Sequence, residues 1–90
     1  TLVLKAKNCN ILIHDCFAPE KFFKIYPRLY KKHTSSLKLG QIGSLCNAKS
    51  IIPIHFSLEL KYKISDIVKE IRKNFKGKII IPQDLMSISL

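Results

Sequence analysis

The stretch Ser50-Ile51-Ile52-Pro53-Ile54-His55-Phe56-Ser57 decides how the chain is read. A short apolar run rich in β-branched residues, bounded by polar ones, predicts a buried strand, and a strand ending on an imidazole carries that ring to the rim of a sheet. In open α/β sheets the chemistry collects at the carboxyl ends of the strands, where pairing stops and loops form a crevice. His55 is therefore the first candidate. Two further stretches, Ile11-Leu12-Ile13-His14-Asp15 and Lys32-His33-Thr34-Ser35, set the other two histidines just after a strand and just before a helix. The expectation is that all three imidazoles lie at element ends, on one common ledge.

Outward from there, Asn10 to His14 is expected as a strand without alternation, with helices covering both its faces. Phe17 to Lys31 is expected to be an amphipathic helix ended or kinked at Pro27, its aromatic stripe of Phe22, Phe23, Tyr26 and Tyr30 read as core packing ahead of base stacking. A hydroxyl in the run His33-Thr34-Ser35-Ser36 caps a following helix, whose Leu39, Ile42, Leu45 and Cys46 share a face. Gly40 and Gly43 weaken that helix by roughly 1 kcal/mol each unless a neighbour packs closely against them. Ser65 is the expected cap of a helix from Asp66 to Phe75, apolar along Ile64, Ile67, Val68, Ile71 and Phe75, with Gly77 as its stop. Lys78 to Ile81 is a third buried strand, Pro82 to Asp84 a turn and Leu85 to Leu90 a last strand. Leu2 to Lys7 reads as the end of a helix stopped at Asn8. The order is strand, helix, helix, strand, helix, strand, strand, an α/β class with the strands joined by crossovers.

Ninety residues make one small domain with a modest core. The start on Thr1, in what reads as a running helix, leads us to expect a fragment of a longer protein. A hydrophobic fraction of 47% is too high for a disordered tail, the apolar runs are too short to span a bilayer, and no leader is visible. Cys9, Cys16 and Cys46 are odd in number and widely spaced, which fits reduced thiols in a cytoplasmic protein better than a disulfide framework or a zinc knuckle. Sixteen Lys and Arg against six Asp and Glu give a formal charge of +10. That excess either attracts nucleic acid or is a lysine-decorated surface, and with only Arg28 and Arg72 as arginines both readings stand. Asp15 is the most informative acid, since it follows a buried strand where desolvation can suit it to proton transfer.

Taken in order, Ile11 to Phe17, His33-Thr34-Ser35, Ile52 to Ser57 and Phe75 to Met86 resemble the C-terminal portion of ribonuclease Z-like members of the metallo-β-lactamase superfamily. The resemblance covers nearly the whole chain. It implies a four-layer αβ/βα sandwich, with residues 1–90 a single fragment from the second half of such a domain and the zinc-motif half absent. It further implies two zinc ions in the complete protein, with His55 as a ligand. Asp15 and His33 are the implied catalytic pair, Asp15 orienting His33 and His33 protonating the leaving oxygen, while His14, Thr34 and Ser35 support them. The reaction implied is zinc-dependent phosphodiester hydrolysis, at the 3′ ends of tRNA precursors.

The sequence departs from that family at two places. The His-x-His-x-Asp-His motif is missing from these residues, so the 90-residue piece alone is expected to be inactive. Leu58-Glu59-Leu60-Lys61-Tyr62 stands where Arg-Tyr often follows His-Phe-Ser. The segment from Pro19 to His33 also resembles arylsulfatase-like and other small-ester hydrolases of the same branch, and a non-catalytic basic RNA-binding module is the third reading. The expected partner is RNA, as a tRNA precursor, with no membrane and with a homodimer among the assemblies open to it.

Overall fold

The structure, a computed structural model, describes residues 11–82. Three parallel strands form one sheet in the order β1 (Ile11–Asp15), β2 (Ser50–Ile54), β3 (Lys78–Ile79). Between them run α1 (Glu20–Ile25), a 3-10 helix (Pro27–Lys31), α2 (Ser36–Leu45) and α3 (Ile64–Arg72). The alternation of strands and helices is as expected. The segments read as an N-terminal helix and a C-terminal strand lie outside the described residues. The register pairs His14 with Pro53 and Asp15 with Ile54, which brings the carboxyl ends of β1 and β2 level.

Burial along β1 alternates, contrary to the expectation. Leu12 and His14 are 1% and 5% exposed, while Ile11 and Ile13 are 53% and 41% exposed. Among the described residues, helices therefore cover one face of this sheet and not the other, and successive side chains fall on opposite sides. His14 is also inside the strand and not beyond its end.

Pro53 sits in the middle strand, a position that normally excludes proline. Ile51 and its alternates turn their backbone groups toward β3, shown by Ile80 N–H donating to the Ile51 carbonyl at 2.9 Å. Pro53 would turn the same way, but β3 pairs only with Ser50 and Ile51. The missing N–H thus falls where, among the described residues, the sheet has no partner for it.

The core joins Leu12 and Ile51 of the sheet to Leu39 of α2, Ile67 and Ile71 of α3, and Phe75 beyond it. Both helical glycines are explained by close approach. A Cβ on Gly40 would lie 2.5 Å from the Ile71 carbonyl oxygen, and one on Gly43 would lie 2.4 Å from the Ile51 side chain. Leu45 is 81% exposed and does not belong to the face expected for it.

The hydroxyl cap expected of α2 is that of Ser35, which accepts from Lys38 N–H at 3.1 Å. The other end closes in a Schellman turn. Asn47 adopts φ 57°, Ala48 N–H donates to the Gly43 carbonyl and Asn47 N–H to that of Ser44. α3 begins earlier than expected, after Lys63, whose N–H donates to the Asp66 carboxylate at 3.2 Å, so Ser65 is not the cap. It also ends earlier, and Gly77 has no left-handed backbone. Gly77 is small because the Lys49 carbonyl oxygen would lie 2.5 Å from a Cβ there.

The aromatic segment breaks at Pro27 as expected, though its helix begins at Glu20 and not at Phe17. α1 ends at Ile25, and Pro27 opens the 3-10 turn, where its fixed φ and lack of an N–H cost nothing. Phe23 is fully buried, but Tyr26 and Tyr30 are each 51% exposed, so the core reading fails for the two tyrosines.

Gly40→Ala is expected to destabilise the fold by about 1–3 kcal/mol, because backbone must move to admit the methyl group. Leu45→Ala should stay within about 0.5 kcal/mol of the parent. Urea denaturation of the two variants checks both.

Candidate functional site

The carboxyl ends of β1 and β2 are tied together by backbone bonds that continue past the strands. Cys16 N–H donates to the Ile54 carbonyl, Ser57 N–H to that of Phe17, and Phe17 N–H to that of Thr34, each at 2.8 Å. The three loops that carry Asp15, His33 and His55 are thereby stitched into one rim.

Asp15 is at the centre of that rim. Its Oδ2 accepts from Thr34 N–H at 2.8 Å, which fixes the loop holding His33. Its Oδ1 lies 4.0 Å from His33 Nδ1 and 3.7 Å from His55 Nδ1. These are close approaches without being hydrogen bonds, so the carboxylate orients His33 through the backbone of Thr34 more than by gripping the ring. Phe17 supplies what the carboxylate does not. Its ring stacks on the His33 imidazole with centroids 3.9 Å apart and planes 15° from parallel.

His55 follows β2 directly and adopts φ 62°, a conformation that non-glycine residues rarely hold. The turn aims its ring toward Asp15. The loop after it is anchored from inside: Phe56 and Ser57 are buried, and Tyr62 donates its hydroxyl to the Ser57 carbonyl at 2.8 Å. Burial, above all, pushes the Tyr62 hydroxyl up to about 12.

The Asp15 carboxylate therefore gathers two of the three imidazoles. His14 is buried, with its Nδ1 against the Asp15 carbonyl oxygen at 2.9 Å, and lines one cleft with His33, Thr34 and Ser35. A carbonyl only accepts, so Nδ1 carries the hydrogen. Ser35 is the buried cap of α2.

A second layer went unread in the sequence. Glu70 of α3 accepts from Ser36 Oγ at 2.5 Å and from Glu20 N–H at 2.9 Å, capping α1 from another helix. Glu20 in turn accepts from Ser35 Oγ and from the Tyr30 hydroxyl. Those two carboxylates brace the loop behind His33. The one available signal was the scarcity of acids, since six among sixteen cations have many possible partners. Cys16 and Cys46 are buried free thiols, and burial raises the Cys16 thiol far above its ordinary value. That leaves Cys16 inert at neutral pH.

Among the described residues, no group of three or more His, Cys, Asp or Glu side chains is placed to hold a metal ion. Zinc takes about four ligands, so His55 and its neighbours do not make a complete zinc site. Also among the described residues, no helix is long and apolar enough to cross a membrane.

Compared with solved structures, the chain is similar to the metallo-β-lactamase fold protein YhfI from Bacillus subtilis, with a TM-score of 0.71 and 21% identity over 90% of this chain. The fold is that of part of a metallo-β-lactamase domain. This chain spans 31% of that protein's length. No protein-family profile matches the chain, and no curated protein does.

Asp15→Ala is expected to cost about 1–3 kcal/mol by leaving Thr34 N–H without its acceptor. Hydrogen exchange should show the Thr34 amide losing protection in Asp15→Ala and keeping it in Asp15→Asn, which retains an oxygen there. A second expectation concerns alkali. Because the folded chain holds the Tyr62 proton to about 12 against an ordinary value of 10.0, the native state binds more protons across that interval. Stability therefore falls as pH rises from about 10 to about 12. Tyr62→Phe should flatten that part of the curve in denaturation measured at stepped pH.

Proposed function

We propose that the complete protein is a metal-dependent hydrolase of the metallo-β-lactamase superfamily, and within it a ribonuclease Z-like phosphodiesterase acting on the 3′ ends of tRNA precursors. The observation that carries this reading is the position of the Asp15 carboxylate between His33 and His55, at the level ends of two parallel strands. A net charge of +10 favours a polyanionic substrate over a small neutral ester.

In this reading Asp15 holds the Thr34 backbone, and with it His33, in a fixed place at the rim. His33, kept flat by Phe17, delivers a proton to the leaving oxygen. Two zinc ions belong to the reading, with His55 as this chain's contribution. Since the described residues do not form a complete metal site, no step is assigned to the metal. Residues 1–90 act here as one part of a larger catalytic domain.

The test uses the full-length protein loaded with zinc and a precursor tRNA carrying a 3′ trailer. His33→Ala and Asp15→Ala are each expected to reduce kcat by roughly 10²–10⁴-fold. His55→Ala should remove activity and lower bound zinc, measured by elemental analysis, with circular dichroism unchanged. Precursor tRNA left uncut while an aryl ester is hydrolysed would replace this reading with the small-ester hydrolase. RNA binding that is steeply salt-dependent, with no turnover and no response to His55→Ala, would leave a basic RNA-binding module.

A further inference from the structure

The segment Lys21 to Lys32 carries five cations, Lys21, Lys24, Arg28, Lys31 and Lys32, and no acid. All five are exposed. The same twelve residues present Ile25 at 61% exposure and both tyrosines at 51%. Exposed aromatic rings among cations without acids are the elements of a single-strand nucleic-acid surface, since rings stack bases and cations neutralise phosphates.

The two tyrosines differ in what they have left to offer. Tyr30 has its hydroxyl on Glu20 and its ring tilted against Phe23 at 5.2 Å, so it is a fixed wall. Tyr26 has neither a ring contact nor a hydroxyl partner among the described residues, and half of its surface is open. The track also leads to the rim. Tyr30, His33 and Lys38 line one open cleft of about 630 Å³, and the 3-10 helix ends at Lys31, two residues before His33. Arg28 and Lys31 occupy the last turn of that helix, where positive side chains are favoured.

We infer that the segment Lys21–Lys32 is a binding track for single-stranded RNA leading to His33, with a base stacked on Tyr26 and phosphates held by Arg28, Lys31 and Lys32. The inference rests on the RNA reading above and names where the strand beside the cleavage point lies. The bases are read by their faces and not their edges, so the track tolerates any sequence.

The experiment takes the full-length protein and two probes, fluorescein-labelled dodecauridylate for binding and a precursor tRNA with a 3′ trailer for turnover. Tyr26→Ala should weaken dodecauridylate binding, and raise KM, by about 10-fold without changing kcat. The triple variant Arg28→Ala, Lys31→Ala, Lys32→Ala should make the log–log salt slope of binding less steep by about 2, at roughly 0.7 per phosphate contact. Lys61→Ala, Lys69→Ala, Lys73→Ala removes the same charge elsewhere and should leave the slope as it was. Equal slopes for the two triple variants, or no effect of Tyr26→Ala, would overturn the track. Cleavage of precursor tRNA with those negative results removes the track and keeps the catalytic reading. Binding that responds as expected without cleavage keeps the track and removes the catalytic reading.

Discussion

One carboxylate oxygen bonded to one backbone amide organises the rim of this molecule. Asp15 leaves β1 with its Oδ2 committed to Thr34 N–H, and that bond determines where the loop between the 3-10 helix and α2 can go. Oδ1 is left facing two imidazoles from different parts of the chain. Without it, Thr34 N–H would have no acceptor, and the backbone bonds of Phe17 and Ser36 would be left to hold the entry to α2.

The bond works because the surroundings over-determine it. Parallel pairing sets Asp15 level with Ile54, and the backbone bonds from Cys16 and Ser57 extend that pairing beyond the sheet. Behind the loop, Glu20 and Glu70 receive the hydroxyls of Ser35 and Ser36. A backbone conformation as unfavourable as that of His55 persists only where such neighbours hold it. The strain is local and its location is informative, since it falls on the residue whose ring must turn back toward Asp15.

Much of this was legible in the sequence, and the failures have physical reasons. The strand leading to His55 and a hydroxyl cap before α2 were readable because both depend on local chemistry, β-branched side chains in one case and a hydroxyl at a helix start in the other, although which hydroxyl caps was not. The alternation in β1 was hidden because the exposed face carries isoleucines, Ile11 and Ile13, as apolar as Leu12 on the covered one. Tyr26 and Tyr30 followed helical spacing with Phe22 and Phe23, but Pro27 tightens the helix and swings them outward. His14 was expected at an element end with the other histidines, but it lies inside β1, buried on the face opposite Asp15, where it lines the cleft beside His33. The contacts of Glu70 span 34 and 50 positions, a separation that no periodicity reveals.

Pro53 has a consequence for how the sheet meets its own crevice. A residue with an amide hydrogen at that place would invite β3, or any other extended segment, to zip further along β2 toward His55. Proline denies it that option, and among the described residues β3 leaves β2 after Ile51, four residues before the imidazole. An imino acid in an interior strand, ordinarily a fault, serves in this chain as a doorstop.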